Sequence, residues 1–137
     1  MKSLKKMMST KNCSFQLKEV TEGEVVKAMT NMKNSKSLGP DKIQADLLKM
    51  TMNWTKKAIQ TIVNLSIKER KFPEKWKTAK VVPILKPNED ILLPKSYRPV
   101  SILCPLSRLA EKLIVNQVVS YLEENELVHP SIHGYCK

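Results

Sequence analysis

The residue pattern predicts an α+β protein, mostly helical, with one small antiparallel hairpin and a long helix after it. Three observations carry this reading. Thr21 to Glu24 spells TEGE, a capping box that opens a helix. The runs VVPILK and SYRPVSIL are short and β-rich, and a proline-bounded loop separates them. Pro105 to Glu124 then repeats apolar residues at helical spacing without a break. All of this lies within 137 residues, the length of one ordinary domain with one core.

Taken in order, residues 1–14 are polar and basic and are expected to form a flexible N-terminus. Residues 15–137 form the domain. Phe15 to Val20 is short and extended. The helix opened by Thr21 has Glu24 at its third position, and Val20 and Val25 stand where a hydrophobic staple places them. Val25, Val26, Met29 and Met32 share its apolar face, which continues to about Asn34. NSKSLGP at 34–40 is turn-rich. Asp41 is expected to cap a following short helix, with Gln44 completing a second capping box and Ile43, Leu47 and Leu48 buried. A third helix is expected from about Asn53 to Arg70, with Trp54, Ala58, Ile62 and Leu65 on one side. Lys68 and Arg70 suit the negative end of its dipole.

Phe72, Pro73 and Trp76 make a compact turn into the first strand, about Thr78 to Leu85. Pro83 in that strand cannot donate to a ladder, which favours an edge position or a local break. Pro87 and Pro94 bound a loop expected to be mobile, and Pro99 interrupts the start of the second strand. Pro105 suits the first position of the last helix, whose stripe is Leu106, Leu109, Leu113, Val118, Tyr121 and Leu122.

The chain has a formal net charge of +11, which favours polyanionic partners such as nucleic acid or an anionic membrane surface. A soluble domain with a generally basic surface is an equal reading of the charge alone. No run approaches the roughly 18 apolar residues of a membrane span, and the N-terminus has no apolar core of a signal peptide. Cys13, Cys104 and Cys136 are widely spaced, as expected of reduced thiols in an intracellular compartment, nucleus or cytoplasm. His129, His133 and Cys136 have metal-like spacing but lack a nearby fourth ligand, so no metal site is expected.

No nucleophile elbow, zinc-protease helix or P-loop is present. The only aspartates are Asp41, Asp46 and Asp90, and they do not form the converging carboxylate set that two-metal phosphoryl transfer needs. No catalytic residue is therefore expected. Lys86 closes the first strand and Arg98 lies in SYRPVS, so paired strands would hold two cations close together, an arrangement suited to polyphosphate. A solvated strand end for Lys86 and a surface ion pair for Arg98 are the plainer alternatives. Lys80 and Tyr97 are weaker candidates for nucleic-acid contact. Trp76 and Tyr97 could stack on bases, although packing of the strand pair accounts for both.

Four stretches resemble the reverse transcriptases of non-LTR retrotransposons of the jockey and LINE-like class. SLGPDKIQADLLK at 37–49 resembles the family's S-P-G-P-D-G-I-x-x-E-L-L-K. LSIKERKFPEKWKTAKVVPILK at 65–86 resembles N-x-S-L-x-x-G-x-F-P-x-x-W-K-x-A and the strand after it. SYRPVSILCPLSRLAEKLI at 96–114 resembles N-Y-R-P-I-S-L-L-P-x-L-S-K-x-x-E-K-I. YLEENELVHPSIHGY at 121–135 resembles the run that approaches the palm. The resemblance implies the fingers part of an RNA-directed DNA polymerase, in which Lys86 and Arg98 hold the triphosphate of an incoming dNTP or stack above its base. It implies an RNA template, a DNA primer and the palm as partners, with two Mg ions only in a full-length enzyme. The catalytic aspartates would lie beyond Lys137, so the chain alone is expected not to polymerise. Lys42 stands where the family has glycine, and Ile132 to Cys136 replace its Q-x-G-F-R. A basic nucleic-acid-binding or protein-interaction module, or a decayed element copy without activity, are the alternatives.

Overall fold

A computed structural model describes residues 14–35 and 37–127. Four α-helices and two strands follow one another as α1 (Glu22–Thr30), α2 (Ala45–Met50), α3 (Met52–Glu69), β1 (Lys80–Leu85), β2 (Tyr97–Ile102) and α4 (Pro105–Glu124). Short 3-10 turns at Glu74–Trp76 and Pro94–Ser96 precede the two strands. The mixed, mainly helical architecture with one antiparallel strand pair agrees with the sequence pattern. The expected N-terminal tail to residue 13, the run beyond residue 127 and the group His129, His133 and Cys136 lie outside the described residues.

Helix α1 begins as its capping box dictates. The Thr21 N–H donates to the Glu24 carboxylate at 2.7 Å, and the Glu24 N–H donates back to Thr21 Oγ1 at 3.3 Å. Lys56 Nζ lies 2.6 Å from Glu22 and holds that carboxyl below its ordinary pKa. The helix ends at Thr30 rather than near Asn34, with Asn31 as its C-cap, a short polar residue that competes for backbone bonds and propagates a helix poorly. α1 packs on both α3 and α4, and its Val25, Ala28 and Met29 form the centre of the core. Val20, Leu48, Ile59, Val63, Trp76, Cys104, Leu109, Ala110 and Leu113 complete that core.

Residues 14–20 run extended over α3 and α4, held by side-chain amides. Asn64 accepts the Val20 N–H at 2.7 Å and donates to its carbonyl, which also receives Gln60 Nε2. Gln117 grips Lys18 in the same double manner. These amides stand in for a neighbouring strand, so the segment leaves fewer orphaned backbone groups as it enters the core.

Three expectations need correction. Asp41 does not cap α2: its carboxylate accepts the Ile43 N–H within a turn, Gln44 is the N-cap without a side-chain bond, and α2 starts only at Ala45. The cause is Lys42, whose φ of 57° is left-handed and cannot continue into a helix. Leu47 is 52% exposed, whereas Ala45 and Leu48 are buried. On α3, the side bearing Trp54, Ala58, Ile62 and Leu65 faces outward, and Ile59 and Val63 are buried instead.

Lys42 shares its left-handed backbone with Arg70, the C-cap of α3 at φ 53°. Both positions align with glycines in the patterns quoted above, and glycine has no Cβ penalty there. Lys42→Gly and Arg70→Gly are each expected to stabilise the chain by up to about 1 kcal/mol, the relieved strain exceeding the entropy that glycine adds to the unfolded chain. Urea midpoints lower than that of the parent chain would refute this.

β1 and β2 pair antiparallel, with Ile84 opposite Arg98 and Leu85 opposite Tyr97. Pro83 lies directly opposite Pro99. The Lys86 N–H donates to the Ser96 carbonyl at 2.9 Å, and hydrogen-bonded rungs alternate from there. The proline rung therefore falls where N–H groups point away from the partner, so neither proline removes a ladder bond. Neither strand packs extensively against any helix, and the main partner of each strand is the other.

The α4 stripe agrees with the leucine spacing at Leu109 and Leu113, while Val118, Tyr121 and Leu122 are only half-buried. Its N-cap is Cys104, whose sulfur accepts the Ser107 N–H at 3.4 Å. Burial pushes the Cys104 thiol above its ordinary pKa, the Ser107 bond opposing and Asp41 adding to the rise.

Candidate nucleic-acid interface

In a pleated ladder, directly opposed residues share a face and successive residues alternate. The register thus places Lys80 with Ile102, Val82 with Val100 and Ile84 with Arg98 on one face of the hairpin. Lys86 continues this face two rungs beyond Ile84. Lys86 and Arg98 are diagonal neighbours, with backbone positions about 7–8 Å apart. Lys80 shares the face but sits at the other end of β1, about 20 Å from Lys86 at strand rise. Tyr97 lies on the opposite face with Leu85.

The side chains differ in how far they are committed. Lys86 Nζ donates to the Lys95 carbonyl at 2.7 Å and closes the base of the loop, with two further N–H groups left over. Arg98 is exposed, and its guanidinium makes no hydrogen bond or ion pair with the described residues. The Tyr97 hydroxyl donates to the Ile91 carbonyl at 2.9 Å and pins the loop. Trp76 is buried, meets Phe72 edge-on at 5.6 Å, and its carbonyl accepts the Ser107 hydroxyl at 3.1 Å. Both aromatics therefore have structural work here, and Trp76 is not available for stacking on a base.

The loop between the strands carries its own hydrogen-bond network. Ser96 is fully buried and donates its hydroxyl to Glu89 at 3.2 Å and its N–H to the Leu93 carbonyl at 2.9 Å. Asp90 accepts the Leu92 N–H at 2.9 Å. This holds out an apolar tip of Ile91, Leu92 and Leu93, with Leu92 83% exposed. The sequence reading missed this tip, although three consecutive aliphatic residues inside a polar, proline-bounded loop were a signal. Among the described residues no three His, Cys, Asp or Glu side chains group closely enough to hold a metal ion. No helix among the described residues is long and apolar enough to cross a membrane.

The fold is thus a helical body with one two-stranded hairpin, which brings Lys86 and Arg98 to neighbouring positions on one face. No family model matches the chain. It is similar to a probable RNA-directed DNA polymerase from transposon BS of Drosophila melanogaster, at 30% identity over 89% of this chain and 14% of that protein. The corresponding protein from transposon X-element of the same fly is 32% identical over 82% of the chain and 12% of its own length. The RNA-directed DNA polymerase from mobile element jockey of Drosophila funebris is 30% identical over 85% of the chain and 13% of its own. The chain is homologous to a segment of the RNA-directed DNA polymerases of non-LTR retrotransposons. It spans no more than 14% of the length of these three relatives.

Proposed function

We propose that this segment serves as the fingers of a reverse transcriptase, positioning an RNA template, a DNA primer and the incoming dNTP for the palm. The observation that carries the reading is the shared face of Lys86 and Arg98, with Arg98 exposed and uncommitted. Guanidinium presents a planar fork matched to phosphate oxygens, and the Lys86 ammonium adds a point charge beside it. Lys80 extends the basic face towards the helical body, where it would meet a nucleic-acid backbone rather than the nucleotide. The two metal ions and the carboxylates that hold them belong, on this reading, to the palm. The segment itself binds and orients and carries no bond-making step.

Titration of the chain with single-stranded RNA and with dNTP tests this. Arg98→Ala is expected to weaken both by roughly tenfold, equivalent to about 1.4 kcal/mol. Log affinity for single strands should fall with log salt by about 0.7 per neutralised phosphate, and Arg98→Ala should remove one such contact. An affinity that is flat with salt, or unchanged by Arg98→Ala, would refute the assignment.

A further inference from the structure

We propose that the outer face of α3, together with the end of α2, docks an acidic amphipathic helix of a protein partner. Helix α3 carries two apolar stripes. Ile59 and Val63 are buried, and Met52 and Ile67 pack against the same core. Trp54, Ala58, Ile62 and Leu65 recur at helical spacing on the far side, and all four are exposed. Trp54 is 82% exposed, and Met50, one turn earlier, is 77% exposed. The stripe from Trp54 to Leu65 is about 17 Å long, which matches three turns of a docked helix.

Charge selects the occupant. Lys57 and Lys68 fall along one edge of the stripe, both exposed and neither in a salt bridge with a described residue, although the Lys57 charge also acts on Glu22. Lys56 is already paired with Glu22, and Glu69, the one acid on α3, follows Leu65 by one turn at the end of the stripe, so the basic edge consists of Lys57 and Lys68. A second copy would set +11 against +11 and basic edge against basic edge. Single-stranded nucleic acid would satisfy the lysines and Trp54 but leave Ala58, Ile62 and Leu65 without a match. A helix with leucines on one face and glutamates beside them satisfies both the stripe and its edge.

The test uses the whole chain and a synthetic helical peptide of about four turns, with leucines at the i, i+3, i+4 and i+7 positions and glutamates flanking them. Trp54 is exposed while Trp76 is buried, so tryptophan emission reports on this face. The glutamate peptide should shift the emission to the blue and saturate, and a lysine-flanked version should bind at least about tenfold more weakly. Lys57→Glu with Lys68→Glu should reverse that preference. Trp54→Ser with Ile62→Ser should abolish binding, measured by calorimetry, while the helical circular dichroism is retained. Binding of neither peptide, equal binding of both, or an unreversed preference would overturn the proposal. So would single-stranded RNA that displaces the peptide, or an emission shift that grows with protein concentration alone.

Discussion

Met29→Ala is expected to cost about 2–5 kcal/mol, since it deletes a fully enclosed side chain at a site with little room to collapse. Met29 lies on α1, the helix that packs on both α3 and α4, so the cavity would open where three helices meet. Domains of this size have only about 5–15 kcal/mol in total, so the loss is a large share of the whole. Urea unfolding should show a lower midpoint with an unchanged slope. Met29→Leu keeps most of the volume and should cost less than about 1.5 kcal/mol. A Met29→Ala midpoint within error of the parent would mean that α1 does not hold the helices together.

Gly39→Val acts through steric conflict and is expected to destabilise by about 3 kcal/mol. A Cβ at Gly39 would stand 2.9 Å from the Leu103 carbonyl oxygen and 3.0 Å from the Cys104 backbone. Backbone cannot swing aside as a flexible side-chain end can, so one of the two segments must move. Residues 103 and 104 join β2 to α4, and the displacement should carry into the hairpin as well as the core. Calorimetry should find a lower Tm together with weaker RNA binding at temperatures where the variant is still folded. An unaltered Tm would mean that the 37–41 turn and the start of α4 are not in register as described. The family resemblance had marked this turn by its Gly-Pro-Asp, and the close approach supplies a physical reason for the glycine.

Local chemistry was the most legible part of the sequence. Thr21 and Glu24 announced α1, and Pro105 with Leu109 and Leu113 announced α4, because caps and spacing act within a few residues. The closeness of Lys86 and Arg98 was legible once the strands were paired, and the register then sets both on one face. Periodicity failed on α3 for a definite reason: the helix has two apolar stripes, and spacing alone does not say which one meets α1. Asp41 misled because Lys42 turns left-handed, a backbone state that its side chain does not advertise. The grip of Asn64 and Gln117 on the extended N-terminal segment spans 44 and 99 residues of sequence, and no local pattern foretells such pairings.

The hairpin's isolation from the helices has a mechanical consequence. An unsupported two-stranded ribbon is only marginally stable in water, so its stiffness comes from its own rungs and from the bonds that close the loop. By its geometry it would act as a short lever anchored near Trp76 and Cys104, with the Lys86–Arg98 pair towards its free end. A small rotation at that anchor would become a larger travel at the cations. Force applied at the tip would be returned to the helices through the turn at Trp76 and the chain entering α4.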